Sequence, residues 1–141
     1  MREQLIGTWK LVSAVTQDVA TGEKFDLYGP NPIGYINYGA DGRMMVLQVG
    51  GARKKPAGAV PTAAEAEALF RTMLGYAGTY TIEGDAITHH VEISWNEAWS
   101  GTQQTRKFRL EGKRLHLSLP PSPNPVDGRV SLRNVVWEKV A

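Results

Sequence analysis

The chain contains no cysteine among its 141 residues. A disulfide framework, a thiolate nucleophile and a cysteine-ligated metal are therefore excluded. Histidine is scarce as well, and because only His89, His90 and His116 are present, we expect no structural zinc site. The sequence also lacks a glycine-rich phosphate loop, a His-Glu-x-x-His motif and a Gly-x-Ser-x-Gly motif. We therefore expect neither a bound metal nor a cofactor.

Long apolar runs and a large excess of one charge are missing too. No stretch approaches the roughly 18 apolar residues of a membrane span, and the first residues lack the apolar run of a signal peptide. The 16 basic and 14 acidic residues leave a net charge of +2, which does not indicate nucleic-acid binding. The one basic cluster, residues 53–55, is followed by Pro56 and is typical of a solvated loop. We expect a cytoplasmic protein without a nucleic-acid or membrane partner.

Most of the chain alternates with period two, in short β-branched and aromatic runs separated by turn residues. The predicted strands are residues 5–16, 24–28, 33–38, 43–49, 77–83, 86–95, 103–110, 114–119 and 129–140. Residues 120–128 contain four prolines and are predicted to be a loop, because proline cannot donate to a strand ladder. About eight strands that close on themselves leave room for one small ligand.

One segment departs from this pattern. Thr62 and Glu65 have the spacing of a capping box, and the apolar residues that follow recur at helical spacing. This predicts one helix over residues 63–74. Strands and helices do not alternate along the chain, which disfavours a parallel α/β sheet. We predict an all-β fold, an antiparallel up-and-down barrel of eight to nine strands with one helix, as a single domain over residues 1–141.

Six short motifs follow one another along nearly the whole chain. They are Leu5-Ile6-Gly7-Thr8-Trp9-Lys10-Leu11, Gly34-Tyr35-Ile36, Asp41-Gly42-Arg43-Met44, Tyr76-Ala77-Gly78-Thr79-Tyr80, Thr88-His89-His90-Val91-Glu92 and Val136-Trp137-Glu138. In this order they resemble the bacterial lipocalin-like domain family, a group of small calycin-type barrels. In lipocalins and their relatives a tryptophan of the first strand plugs the closed end, and an arginine of the last strand packs across it. The resemblance implies these roles for Trp9 and Arg133, with the guanidinium over the indole. It implies a pocket but no single activity.

The adjacent pair His89 and His90 is the sharpest chemical feature, and neighbours on a strand face opposite sides. One face of this strand carries Thr88, His90, Glu92 and Ser94, and the other carries His89, Val91, Ile93 and Trp95. In a solid sandwich the face with valine and isoleucine would be the core, whereas in a ligand barrel the polar face would line the cavity. We favour the second arrangement, in which Glu92 holds one tautomer of an inward His90. A buried histidine that only shapes the pocket is the alternative.

Other polar and aromatic residues within the strand pattern are candidates for the cavity wall. Trp95 and Trp99 flank a polar loop, where aromatic rings can cover an apolar ligand. Arg106 suits a carboxylate or enolate oxygen because its guanidinium offers two parallel hydrogen bonds. Further candidates are Tyr35, Gln48 and Tyr80. For each of these residues, ordinary packing or a solvated outward position is the alternative.

These features support a first hypothesis and leave others open. The first is a protein that binds a small, largely apolar or aromatic molecule inside the barrel. The second is a cofactor-free isomerase, cyclase or lyase that acts on a small carbonyl compound, with His90 as general acid/base and Arg106 or a tyrosine at the oxyanion. The third is an interaction module that uses residues 53–55 and the helix. A homodimer is compatible with all three.

Overall fold

The computed structural model describes residues 2–141. Its helices are α1 (Arg2–Leu5), α2 (Ala63–Arg71) and a short 3-10 helix (Glu97–Trp99). Its strands are β1 (Gly7–Asp18), β2 (Lys24–Phe25), β3 (Ile33–Tyr38), β4 (Arg43–Val49), β5 (Met73–Glu83), β6 (Ala86–Ser94), β7 (Gln103–Glu111), β8 (Arg114–Pro123) and β9 (Val130–Lys139). None of the helices in this part of the chain is long and apolar enough to cross a lipid bilayer.

The strands form one closed antiparallel barrel. Neighbours pair in the order β1-β3-β4-β5-β6-β7-β8-β9, and β9 returns to pair with β1. The extra strand β2 pairs with the far end of β1 at two positions, Thr16 with Phe25 and Gln17 with Lys24. The predicted antiparallel barrel of eight to nine strands is therefore confirmed. Strict alternation of buried and exposed residues along β3 and most of β4 shows why these segments form strands with one face inside.

The closed end of the barrel is built around Trp9, whose indole Nε1 donates to the carbonyl oxygen of Leu5 at 2.9 Å. The cation over its ring is Lys139, with Nζ 5.3 Å from the ring centre, because β9 pairs Lys139 with Trp9. Arg133 pairs instead with Thr16, about 20 Å further along the strand. The implied stacking of Arg133 on Trp9 is therefore wrong.

Helix α2 begins with the predicted capping box. The Thr62 hydroxyl accepts from the backbone N–H of Glu65 at 3.2 Å, and the Glu65 carboxylate accepts from the N–H of Thr62 at 2.8 Å. The helix ends at Arg71, earlier than predicted, because Met73 and Leu74 pair with β4 as the first residues of β5. No α2 side chain is buried, so the helix lies on the outside of the barrel.

Strand β8 runs through part of the predicted proline loop. Its register with β9 shifts between Leu119 and Ser122, and pairing then resumes through Pro123 with Val130. The two prolines at this irregularity, Pro120 and Pro121, occupy positions where the ladder needs no N–H. The prediction of a loop over all of residues 120–128 is therefore wrong for its first part.

Candidate ligand-binding site

A cavity of about 210 Å³ lies at the end of the barrel opposite Trp9. Its wall is contributed by strands β1, β5, β7, β8 and β9, by the segment before β3, and by the loops that follow β6 and β8. Leu27, Leu74, Leu119 and Trp99 supply apolar surface, whereas Thr16, Gln104, Arg133 and others supply polar groups. We call this space the outer cavity.

A second, smaller space of about 20 Å³ lies deeper in the barrel. Its wall includes Gln48, Tyr76, His89, Arg106 and Trp137, and it shares Leu74, Leu119 and Arg133 with the outer cavity. We call it the inner cavity. A space of this size holds about one water molecule or one atom group of similar size. The two cavities therefore meet at the side chain of Arg133.

Arg133 is buried at this junction, and its side chain makes one hydrogen bond within the described part of the chain. Its Nη2 donates to Oε1 of Gln48 at 2.9 Å, and its guanidinium carbon lies 5.0 Å from the centre of the Tyr28 ring. Among residues 2–141, its Nε has no partner, and neither has the hydroxyl of Thr16, the residue opposite on β1. Burial lowers the pKa of Arg133 from its usual value, yet a guanidinium remains charged at neutral pH.

Arg106 brings a second positive charge into the barrel from β7. Its side chain is 6% exposed and lines the inner cavity. No hydrogen bond or ion pair joins it to any of residues 2–141. Its charge disfavours further positive charge nearby, and it contributes to the lowered pKa of both His89 and Arg133.

His89 joins two tyrosines in a buried chain. Its Nε2 lies 2.7 Å from the hydroxyl of Tyr38, and its Nδ1 lies 2.6 Å from the hydroxyl of Tyr76. Burial, followed by the charges of Arg106 and His90, holds the pKa of His89 well below its ordinary value. The ring is therefore neutral and has one N–H donor and one acceptor, so one tyrosine accepts from it and the other donates to it.

The prediction that His90 and Glu92 face the cavity is wrong. His90 lies on the outer wall, where its Nε2 is 2.9 Å from the hydroxyl of Thr81. Glu92 is exposed and pairs with Arg43 at 3.0 Å. The buried side chains of this strand are instead Ile87, His89 and Val91.

A β-bulge explains why neither face of β6 continues along the whole strand. The register with β5 runs from Ala77 paired with Ile93 to Gly78 paired with Val91, which leaves Glu92 as the extra residue. An extra residue reverses the side-chain phase. Val91 is therefore buried, whereas Ile93, two residues later, is 68% exposed.

The remaining predicted residues divide between the cavities and other places. Trp99 lines the outer cavity and meets Trp95 edge to face at 5.3 Å between ring centres, whereas Trp95 also packs on Phe70 of α2. Tyr80 is buried away from both cavities and donates to the carbonyl oxygen of Gly39 at 2.8 Å. Tyr35 is half exposed on the outer face, so the prediction that it faces the cavity is wrong.

The site residues that were not among the sequence candidates include Thr16, Tyr28 and Tyr76. Tyr76 had a usable signal, because it lies four residues before Tyr80 on a strand and therefore shares its face. Tyr28 had none, since it belongs to no strand and enters the barrel from the segment before β3. Within residues 2–141, no group of three or more histidine, aspartate or glutamate side chains is arranged to hold a metal ion.

Comparison with known proteins places the chain in a family. The sequence model described as "lipocalin-like domain" matches residues 6–140. Among solved structures, a lipocalin-like protein from Bacteroides uniformis ATCC 8492 is similar with 16% identity and a TM-score of 0.49, covering 97% of this chain and 99% of that chain. An uncharacterized protein from Bacteroides eggerthii DSM 20697 shows 14% identity and a TM-score of 0.45, covering 96% and 99%. No curated protein matches the chain.

A barrel of this kind suggests the binding of a small molecule without specifying which one. Because the family model spans nearly the whole sequence, this chain belongs to the lipocalin-like domain family.

Proposed function

We propose that this barrel binds a small, largely apolar or aromatic molecule in the outer cavity. The observation that carries the proposal is the cavity of about 210 Å³, which combines leucine and aromatic surface with a few polar groups. That combination is typical of small-molecule sites. A cavity of about 150 Å³ holds benzene, and drug-sized sites start at about 300 Å³. The outer cavity therefore fits a molecule of one or two rings.

The aromatic side chains at the cavity favour a planar ligand. Trp99 is held in place by Tyr76, with ring centres 5.8 Å apart, and by Trp95. Tyr28 lies on the cavity wall under the guanidinium of Arg133. A ring placed between Trp99 and Tyr28 would gain contact area with two side chains that are already ordered, so its binding would cost little side-chain entropy.

The test is isothermal titration calorimetry with 2-acetylnaphthalene, a neutral compound with two rings. We expect saturable binding with one site per chain. Leu119→Trp would fill the outer cavity and is expected to weaken binding by roughly tenfold or more, since bound ligand and indole compete for one space. Leu47→Trp, the same change on the exposed face of β4, is the control and should leave the affinity unchanged. Absence of binding to the wild type, or equal affinity of both variants, would contradict the proposal.

A second candidate function, acid–base catalysis on a small carbonyl compound, is favoured by the Tyr38–His89–Tyr76 chain. Tyr76 and His89 both line the inner cavity. In this scheme the Tyr76 oxygen takes a proton from the carbon next to the carbonyl, and the hydroxyl proton passes to Nδ1 of His89. The enolate oxygen that forms would be stabilised by the positive charge of Arg106. Here His89 takes the role that the sequence analysis gave to His90.

Proton exchange tests this second candidate with the same compound. The methyl protons of 2-acetylnaphthalene are next to its carbonyl group, so an acid–base catalyst in D₂O would replace them with deuterium. We expect loss of the methyl signal by NMR with the wild type and not with His89→Gln, whereas His90→Gln, changed at the adjacent outer residue, should behave as the wild type. Exchange no faster than in buffer would rule out catalysis on this compound.

A further inference from the structure

We infer that Arg106 and Arg133 form a carboxylate subsite at the junction of the two cavities, so that the natural ligand is a small monocarboxylic acid with an apolar or aromatic body. This inference rests on the proposed function, since the body of the acid would occupy the outer cavity.

The first support is the charge balance inside the barrel. Arg106 and Arg133 are 6% and 7% exposed, and neither forms an ion pair with any of residues 2–141. A buried charge without a counter-ion is strongly unfavourable. Two such charges that line one small cavity therefore create a local preference for an anion.

No buried carboxylate of the described chain is free to supply that anion. The one buried acidic residue among residues 2–141 is Asp18. Its carboxylate pairs with Arg129 at 3.2 Å and accepts from the backbone N–H groups of Ala20 and Thr21 at 2.8 and 3.3 Å. It is therefore committed to the turn after β1. No buried carboxylate among residues 2–141 therefore neutralises the two arginines, and a bound anion would do so.

The second support is that several buried hydrogen-bond donors in residues 2–141 have no partner. At the junction, Nε of Arg133 and the hydroxyl of Thr16 have no partner although both are buried. The Nε1 group of Trp137, which lines the inner cavity, also has none. Nearby acceptors are in use, since Gln48 Oε1 accepts from Arg133 and the one accepting nitrogen of His89 faces a tyrosine hydroxyl. The groups without a partner are therefore mainly hydrogen-bond donors, and they match a ligand that only accepts hydrogen bonds.

The shape of the site selects a carboxylate among anions. The inner cavity of about 20 Å³ has room for one small group, whereas a phosphate or sulfate presents several oxygens around its centre. A carboxylate is planar and presents only two oxygens, each of which can accept from a different guanidinium. One oxygen would lie at Arg133 and Thr16, and the other would enter the inner cavity towards Arg106. The apolar body would then extend past Leu74 and Leu119 into the outer cavity.

The experiment compares two compounds of equal size. The probe 2-naphthoate carries a carboxylate where 2-acetylnaphthalene carries a neutral acetyl group. By calorimetry we expect the wild type to bind the acid at least roughly tenfold more tightly, which corresponds to about 1.4 kcal/mol. Arg133→Gln and Arg106→Gln should each reduce this preference, which is the ratio of the two affinities measured on the same variant. Arg109→Gln removes an exposed arginine of the same strand, β7, and should keep the preference.

The outcomes separate this inference from the proposed function. Binding of the neutral compound without preference for the acid would overturn the carboxylate subsite and leave the proposed function standing. No binding of either compound would overturn both. A preference that persists in both arginine variants would also overturn the subsite, because the acid would then be recognised elsewhere. If one variant fails to fold, the other variant and the wild-type preference still decide the question.

Discussion

The hydroxyl group of Tyr76 lies 2.6 Å from Nδ1 of His89, and both side chains are buried. Burial raises the pKa of Tyr76 and lowers the pKa of His89. The pair is therefore uncharged over the whole range of pH in which most proteins function. A proton added to the ring of His89 would place a charge in this buried site, which would destabilise the folded barrel.

The first prediction is a loss of stability below pH 6.5 that depends on His89. Below that pH the unfolded chain takes up a proton at this residue, whereas folded His89 stays neutral. The free energy of unfolding should therefore fall as pH decreases, by up to about 1.4 kcal/mol per pH unit from this group alone. Urea unfolding between pH 5 and pH 7 measures the slope. His89→Gln should flatten this slope, whereas the control His90→Gln should leave it unchanged. An equal flattening in both variants would contradict the prediction, because the slope would then not be specific to His89.

The second prediction is that Arg106 destabilises the protein when no ligand is bound. Replacement of an unpaired buried charge by an apolar side chain removes its desolvation cost, so Arg106→Met should raise the free energy of unfolding by about 1–4 kcal/mol. Methionine is flexible enough to fill the same space. The matched variant Arg109→Met, on the exposed face of β7, should stay within about 0.5 kcal/mol of the wild type. Destabilisation by Arg106→Met would mean that Arg106 supports the fold itself.

The third prediction compares two tryptophans that are equally buried, each 1% exposed. Trp9 donates to the Leu5 carbonyl oxygen at 2.9 Å, whereas Nε1 of Trp137 has no partner. Trp9→Phe leaves that carbonyl without its donor, and Trp137→Phe leaves no acceptor unsatisfied. Chemical denaturation should show that Trp9→Phe costs about 1–3 kcal/mol more than Trp137→Phe. Equal costs would mean that water replaces the lost donor at the closed end.

The fourth prediction concerns the bulge that sets the phase of β6. A Cβ atom on Gly78 would overlap the carbonyl oxygen of His90, which is backbone and cannot move aside. At Gly75 the nearest atom to a new Cβ is Cδ1 of Leu47, at 3.2 Å, the end of a flexible side chain. Gly78→Ala should therefore cost about 3 kcal/mol or more and Gly75→Ala about 1 kcal/mol or less, measured by thermal or urea unfolding. A mild effect at Gly78 would show that the two strands can separate there.

The fold was largely predictable because a barrel repeats one simple rule, alternation of inward and outward side chains. β3 and β4 follow it throughout most of their length, and the capping box of Thr62 and Glu65 marks where the rule stops. The wrong predictions lie where the same residues fit both a helix and a strand. Met73 and Leu74 fit a helical spacing, yet pairing with β4 places them in β5.

The site was less predictable. Which side chains it contains depends on the phase of each strand and on the pairing of strands that are far apart in the sequence. The bulge at Glu92 cannot be seen in residues 86–94 alone, since it arises from the fit to β5. The choice between His89 and His90 was therefore a choice between two plausible faces. Arg133 was assigned to the closed end by resemblance, but its true neighbour is set by the register between β1 and β9. Gln48 and Arg106 are predictable as candidates because both are polar residues within strand patterns.

The pairing of β1 with β9 has a consequence for how the protein acquires its pocket. Contacts between the two ends of a chain form slowly, because a long loop must close before they stabilise anything. Thr16 and Arg133 face each other only after this closure, so the site does not exist in any partly assembled sheet. A ligand that contacts both strands would hold β1 and β9 together. It would leave the rate of folding unchanged and slow the opening of the barrel.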